Sequence, residues 1–133
     1  MPKNNYKTAV VTGASEGIGA ALSYQLLKQG YKVVGISRSK KKFAKIKKKF
    51  RKFNSLFVEQ FADVRNYNDL TEIADKIEKV DLLILNAGVY VPAKSDKPIL
   101  SIYKDQNDIN YMGVINTYIA FLKKMIVNKK GTI

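Results

Sequence analysis

Thr8-Ala9-Val10-Val11-Thr12-Gly13-Ala14-Ser15-Glu16-Gly17-Ile18-Gly19 is the stretch that decides the fold: a short β-branched run passes straight into a glycine-rich turn, and a helical pattern follows at once. Such a turn lets backbone come close to a pyrophosphate, and the helix behind it offers unpaired N–H groups and the positive end of its dipole to the phosphates. The spacing is Gly-x-x-x-Gly-x-Gly. It differs from the Gly-x-Gly-x-x-Gly of the common dinucleotide fingerprint and from a P-loop, which needs a lysine that residues 13–19 lack. Taken alone, glycines that merely turn the chain would leave the same trace.

Outward from this turn, short apolar runs at 8–12, 32–36, 56–61 and 80–85 alternate with longer amphipathic stretches, which reads as β-α-β-α-β-α-β-α. The runs are β-branched or leucine-rich without strict polar alternation, as in parallel strands covered on both faces. Ile18, Leu22 and Leu26 mark the first helix. Phe43, Ile46, Phe50 and Phe53 mark the second, Leu70, Ile73, Ala74 and Ile77 the third, and one fourth helix is predicted from about 102 to 127. Right-handed crossovers with helices on both faces make this a doubly wound parallel α/β sheet, with residues 1–133 as a single domain.

Among the 133 residues there is no cysteine and no histidine, which removes disulfide scaffolds, thiol catalysis, and the commonest metal ligand and general base. No metal site is expected. The longest apolar run, 118–122, falls far short of the roughly 20 residues that span a bilayer, and the apolar start at 9–11 is too brief for a signal peptide. The expected compartment is therefore the cytoplasm, with no membrane partner. The net charge of +13 is concentrated: ten basic and no acidic residues lie between Arg38 and Lys52, leaving +3 for the rest. Since Phe43, Ile46, Phe50 and Phe53 are needed to pack that helix on the sheet, its lysines read as a solvated face and no specific nucleic acid is expected as partner.

Three further signals fall in order and register along the chain: Asp63-Val64 after the third strand, Asn86-Ala87-Gly88 after the fourth, and Asn110-x-x-Gly113 on the following helix. Together with Thr12-Gly13-x-x-x-Gly17-x-Gly19 they make the sequence resemble the N-terminal half of the classical short-chain dehydrogenase/reductase family. The resemblance implies a Rossmann-type fold with sheet order 3-2-1-4 and a fifth strand beside the fourth. It implies reversible hydride transfer between a nicotinamide and a carbonyl or alcohol carbon. Gly13, Ser15, Glu16, Gly17, Ile18 and Gly19 would cradle the pyrophosphate. Asp63 and Val64 would bracket the adenine, and Asn86, Ala87 and Gly88 would support the sheet with their backbone against the adenosine ribose. Asn110 would be the catalytic asparagine that holds a water in the proton relay.

Cofactor choice is read where the second strand ends, at Ile36-Ser37-Arg38-Ser39. An acid there would grip the ribose 2′-hydroxyl of NAD, and none is present. Arg38 offers a fork to a phosphate, Ser37 and Ser39 offer hydroxyls, and the lysines at 40–42 add positive potential, so NADP is expected over NAD. Glu16 stands against this, where NADP-preferring relatives often carry a basic residue.

The family's catalytic Ser, Tyr and Lys lie beyond the fifth strand, and residues 131–133 stand where that strand would begin. The expectation is an incomplete domain, inactive alone, holding only Asn110 of the tetrad. Tyr24 with Lys28 and Tyr90 with Lys94 have the catalytic spacing, but a chain with eight tyrosines and this many lysines produces such pairs by chance. The expected partners are a dinucleotide and either a complementary C-terminal half or a second copy meeting an open strand edge at residues 82–85. Two other readings stay open: a non-catalytic nucleotide- or partner-binding module, and a basic helix that binds nucleic acid or an anionic surface. A methyltransferase is disfavoured, since it would want an acid where Ser37 stands.

Overall fold

The computed structural model describes residues 6–133. Strands β1 (Thr8–Thr12), β2 (Lys32–Ser37), β3 (Phe57–Phe61) and β4 (Leu82–Ile84) form one parallel sheet in the order β3-β2-β1-β4. Helices α1 (Gly17–Lys28), α2 (Lys40–Phe50) and α3 (Tyr67–Asp75) make the crossovers, and α4 (Leu100–Asn107) and α5 (Gly113–Val127) follow β4. The doubly wound sheet and its 3-2-1-4 order are as expected.

Strand alternation divides the core in two. Ala9 and Val11 face α1 and α2 with Val33, Phe43 and Phe50, while Val10 faces α3 and α5 with Val34, Leu70, Ile73 and Phe121. Phe43, Phe50 and Phe121 are fully buried, each contributing on the order of 1.5–3 kcal/mol of hydrophobic burial. On α2 the apolar stripe turns inward and Lys45, Lys47 and Lys48 outward into solvent, so the charge run is a solvated face. No helix among the described residues is long and apolar enough to cross a membrane.

Three expectations need correction. The buried face of α1 is Gly19, Ser23, Leu26 and Leu27, whereas Ile18 is 72% exposed and Leu22 lies at the surface. Small residues win that face because the turn before α1 packs closely on it, and Ser23 satisfies its own hydroxyl by donating to the Gly19 carbonyl at 2.8 Å. The fourth helix is not one helix. A π-helical turn at Asp108–Met112 separates α4 from α5 and re-phases the chain, so that Gly113, Thr117, Ala120 and Phe121 press inward. At Gly113 a Cβ would sit 2.4 Å from Val64 Cγ2, which is why a glycine lies at this crossing.

The open edge expected at residues 82–85 is partly closed. Leu83 N donates to the Thr132 carbonyl at 2.9 Å and Thr132 N to the Asp81 carbonyl at 3.0 Å, a parallel bridge on the side of β4 away from β1.

Candidate functional site

At the C-terminal ends of the strands, where the chain runs from β1 to β2 on one side and β4 docks on the other, lies a cleft of about 340 Å³. This is the topological switch point of an open α/β sheet, where such folds bind ligands. Gly13, Ser15, Glu16 and Ile18 line it from the turn, Ser37, Arg38 and Ser39 from the end of β2, Asp63 and Val64 from beyond β3, and Asn86, Ala87 and Gly88 from beyond β4. The structure thus gathers every site residue singled out from sequence except Gly17, Gly19 and Asn110, the last of which bonds to the backbone of the lining residue Val89.

The turn is built from β1 outward. Gly13 has φ of 67° and Gly17 of 53°, left-handed backbone that other residues adopt only at a cost. Ala14 N donates to the Ile36 carbonyl at 3.2 Å, tying the turn to β2. Thr12 ties it to β4, because its buried hydroxyl accepts from both Asn86 N and Ala87 N at 3.1 Å. The Asn86 amide answers by donating to the Thr12 carbonyl at 3.0 Å. Asn86 is therefore the seam between the two walls.

At the β2 end the hydroxyls are already engaged. Ser37 Oγ lies 2.7 Å from Ser15 Oγ and accepts from Ser39 N at 3.3 Å, while Ser39 Oγ caps α2 by accepting from Lys42 N at 3.2 Å. What the serines can still give a ligand is O–H donation: one proton from the Ser15–Ser37 pair and one from Ser39. Arg38, more than half exposed, reaches Asp63 at 3.4 Å. Lys42 crosses from α2 to an ion pair with Glu16.

Asp63 is held chiefly by Arg65, whose guanidinium donates at 2.8 and 3.1 Å and whose backbone N donates at 2.9 Å. The Arg65 side-chain hydrogen bonds, helped by its backbone N–H and by the charges of Arg65 and Arg38, outweigh burial and lower the Asp63 pKa from 3.8 to about 2. A depressed carboxylate pKa stabilises the fold above the unfolded value and loses that contribution as pH falls through the folded value. Asp63→Asn should accordingly flatten the acid limb of a melting-temperature profile between about pH 4 and pH 2. A profile parallel to the parent's over that window would show that Asp63 is not the group titrating.

Asn110 sits in the π-helical turn and clamps the loop beyond Gly88: its Oδ1 accepts from Val89 N and its Nδ2 donates to the Val89 carbonyl, both at 2.7 Å. Its side-chain amide is thus engaged with the Val89 backbone. Asn116 does similar work on the other wall, donating to the Val64 carbonyl at 3.0 Å. Of the spaced Tyr/Lys pairs, Tyr24 packs on Phe50 and Phe53, away from the cleft, and Tyr90 is 83% exposed on a loop.

Sequence reasoning counted Lys42 only as part of the positive run at 40–42 and not by its pairing with Glu16, and it missed both Asn116 and Arg65 as the holder of Asp63. Arg65, two residues from Asp63, had the right separation for an Asx-type local bond. Lys42 needed the helix geometry, since only the first turn of α2 swings its side chain back over the cleft.

Comparison with known proteins follows the same lines. The family described as short chain dehydrogenase matches residues 7–133. A 3-dehydrosphinganine reductase of Arabidopsis thaliana is 32% identical over 121 residues, covering 90% of this chain and 37% of that protein. An NADPH-dependent pterin aldehyde reductase of the same plant is 31% identical over 133 residues, covering 96% and 54%. Among solved structures, an actinorhodin polyketide ketoreductase with NADPH superposes with a TM-score of 0.89 at 24% identity, over 98% of this chain and 52% of that one. The chain spans about half the length, or less, of the relatives it matches.

Proposed function

The chain belongs to the short-chain dehydrogenase family, and from that premise we propose that it is the N-terminal, cofactor-binding part of an NADP-dependent oxidoreductase acting between a carbonyl and an alcohol. On this reading residues 6–133 form the cofactor-binding portion of a Rossmann-type domain, and this portion by itself would turn over no substrate. The observation that carries it is Arg38 at the mouth of the cleft, immediately after β2, flanked in sequence by Ser37 and Ser39 with no acid at the end of that strand. A relative named for NADPH dependence and a fold neighbour solved with NADPH support the choice of cofactor.

Each wall has a task. The turn from Gly13 to Gly19 and the N-terminus of α1 would take the pyrophosphate, where Gly13 leaves room that a Cβ would close to 2.9 Å from the Asn86 amide. Arg38, Ser39 and the Ser15–Ser37 pair would take the 2′-phosphate, Asp63 and Val64 would flank the adenine, and Asn86, Ala87 and Gly88 would lie along the ribose. The cofactor, when bound, supplies the hydride at nicotinamide C4. Asn110 would keep the loop after Gly88 in place under that end of the dinucleotide. The Tyr that donates the proton in this family, with the Lys that lowers its pKa and the Ser that holds the substrate oxygen, would be supplied from beyond the fifth strand, by continuing chain or by a complementary half, and that strand would extend the pairing that Thr132 makes beside β4.

The test is a titration of NADPH and NADH into the parent and Arg38→Ala. Losing a charge-assisted phosphate contact costs about 1.5–3 kcal/mol, so NADPH should weaken roughly tenfold or more while NADH changes little. Equal losses for the two, or tighter NADH binding throughout, would overturn the assignment.

A further inference from the structure

Glu16 is the feature that the proposed cofactor does not explain, because a carboxylate on the rim of a phosphate site repels the ligand. It is the N-cap residue of α1, yet its side chain makes no capping bond to its own helix. Instead it pairs with Lys42, 26 residues away. Both groups line the same cleft as Ser37, Arg38 and Ser39.

We propose that Lys42 is a specificity-determining residue for the 2′-phosphate, acting as a cation that cancels Glu16 and contacts the phosphate at the same time. The proposal rests on the NADP reading above and deepens it. Three facts carry it. The position of Lys42 is set by the capped first turn of α2, since its backbone N is bonded to Ser39 Oγ, so its side chain leaves the helix at the cleft rim. An ammonium has three donors, so one N–H can stay on Glu16 while another reaches a phosphate oxygen. And Arg38 is not wholly free for the ligand, being drawn toward Asp63 at 3.4 Å. A second cation is what a dianionic phosphate beside a carboxylate requires.

Removing Lys42 thus does two things: it deletes a phosphate contact and it uncovers Glu16. The two are separable by a cycle of Lys42→Ala, Glu16→Gln and the double variant, each titrated with NADPH and NADH by fluorescence alongside Arg38→Ala. Lys42→Ala should lower NADPH affinity about tenfold or more and leave NADH within about twofold. Glu16→Gln alone should tighten NADPH, and the double variant should recover part of what Lys42→Ala lost. Lys45→Ala, one turn further along α2 and outside the cleft, should change neither cofactor.

The outcomes distinguish the inference from its premise. If Arg38→Ala discriminates between the cofactors and Lys42→Ala does not, the role of Lys42 is overturned and the NADP reading stands. A uniform loss for NADPH and NADH on Lys42→Ala means a structural role only, and also overturns it. Should the parent show no preference, with Arg38→Ala silent, both fall together.

Discussion

Gly19→Ala is expected to leave little folded protein. A Cβ at this position would lie 2.2 Å from the Gly13 carbonyl oxygen, 2.8 Å from the Gly13 carbonyl carbon and 2.6 Å from the Asn86 amide nitrogen. Two of those atoms are backbone, held by β1 and by the Thr12–Asn86 bonds, so the helix cannot be accommodated by rotating a side chain. Overpacking of this kind costs about 3 kcal/mol or more, a large share of the 5–15 kcal/mol by which a domain is stable. Gly17→Ala provides the contrast. A Cβ there meets nothing within 4 Å, and only the positive φ of 53° is strained, for a loss of about 1–2 kcal/mol. Urea denaturation of the two variants should separate them by at least one kcal/mol on that scale. Equal midpoints would mean that the contact of α1 with the turn relaxes at no cost.

The second large effect is expected at Thr12→Val. Valine keeps the shape and the β-branching, but Asn86 N and Ala87 N lose the acceptor they share, in a place where Thr12 is only 2% exposed. An unpaired donor costs about 1–3 kcal/mol when fully buried, and these two are half-buried at the cleft, so a loss of roughly 1–3 kcal/mol in all is expected. Thr12→Ser keeps the hydroxyl and should lose far less. The same substitution frees the wall carrying Asn86, so amide exchange at Asn86 and Ala87 should rise in Thr12→Val out of proportion to the global loss. If valine and serine behave alike, the methyl contacts of Thr12 matter and its hydroxyl does not.

The turn at 13–19 and the strand–helix alternation were legible because each is dictated by local pattern: glycines where backbone must turn tightly, apolar runs where strands are covered twice. The sheet order is not local and came only from the family resemblance. The inward face of α1 was not, because Gly19 and Ser23 carry too little apolar surface to register in a hydrophobic pattern. The π-helical turn at Asp108–Met112 escaped for a related reason, since an i to i+5 turn changes phase without changing composition. Within the site, residue types were readable and pairings were not. Lys42 with Glu16 and Arg65 with Asp63 depend on helix phase and side-chain reach, and the motif mentions only one partner of each pair.

The strand order β3-β2-β1-β4 also sets a timetable for assembly. β1 meets β2, and β2 meets β3, after about two dozen residues of chain, whereas Thr8 meets Asp81 across 73. Closing the longer loop costs roughly 1 kcal/mol more in chain entropy, and non-local pairings form late. The turn and the Arg38 side of the cleft therefore belong to an early unit, and the Asn86 side joins last. A ligand gripping both sides, such as the proposed dinucleotide, would bind only the finished sheet, so it would slow the undocking of β4 and act as a clasp on the last part to join.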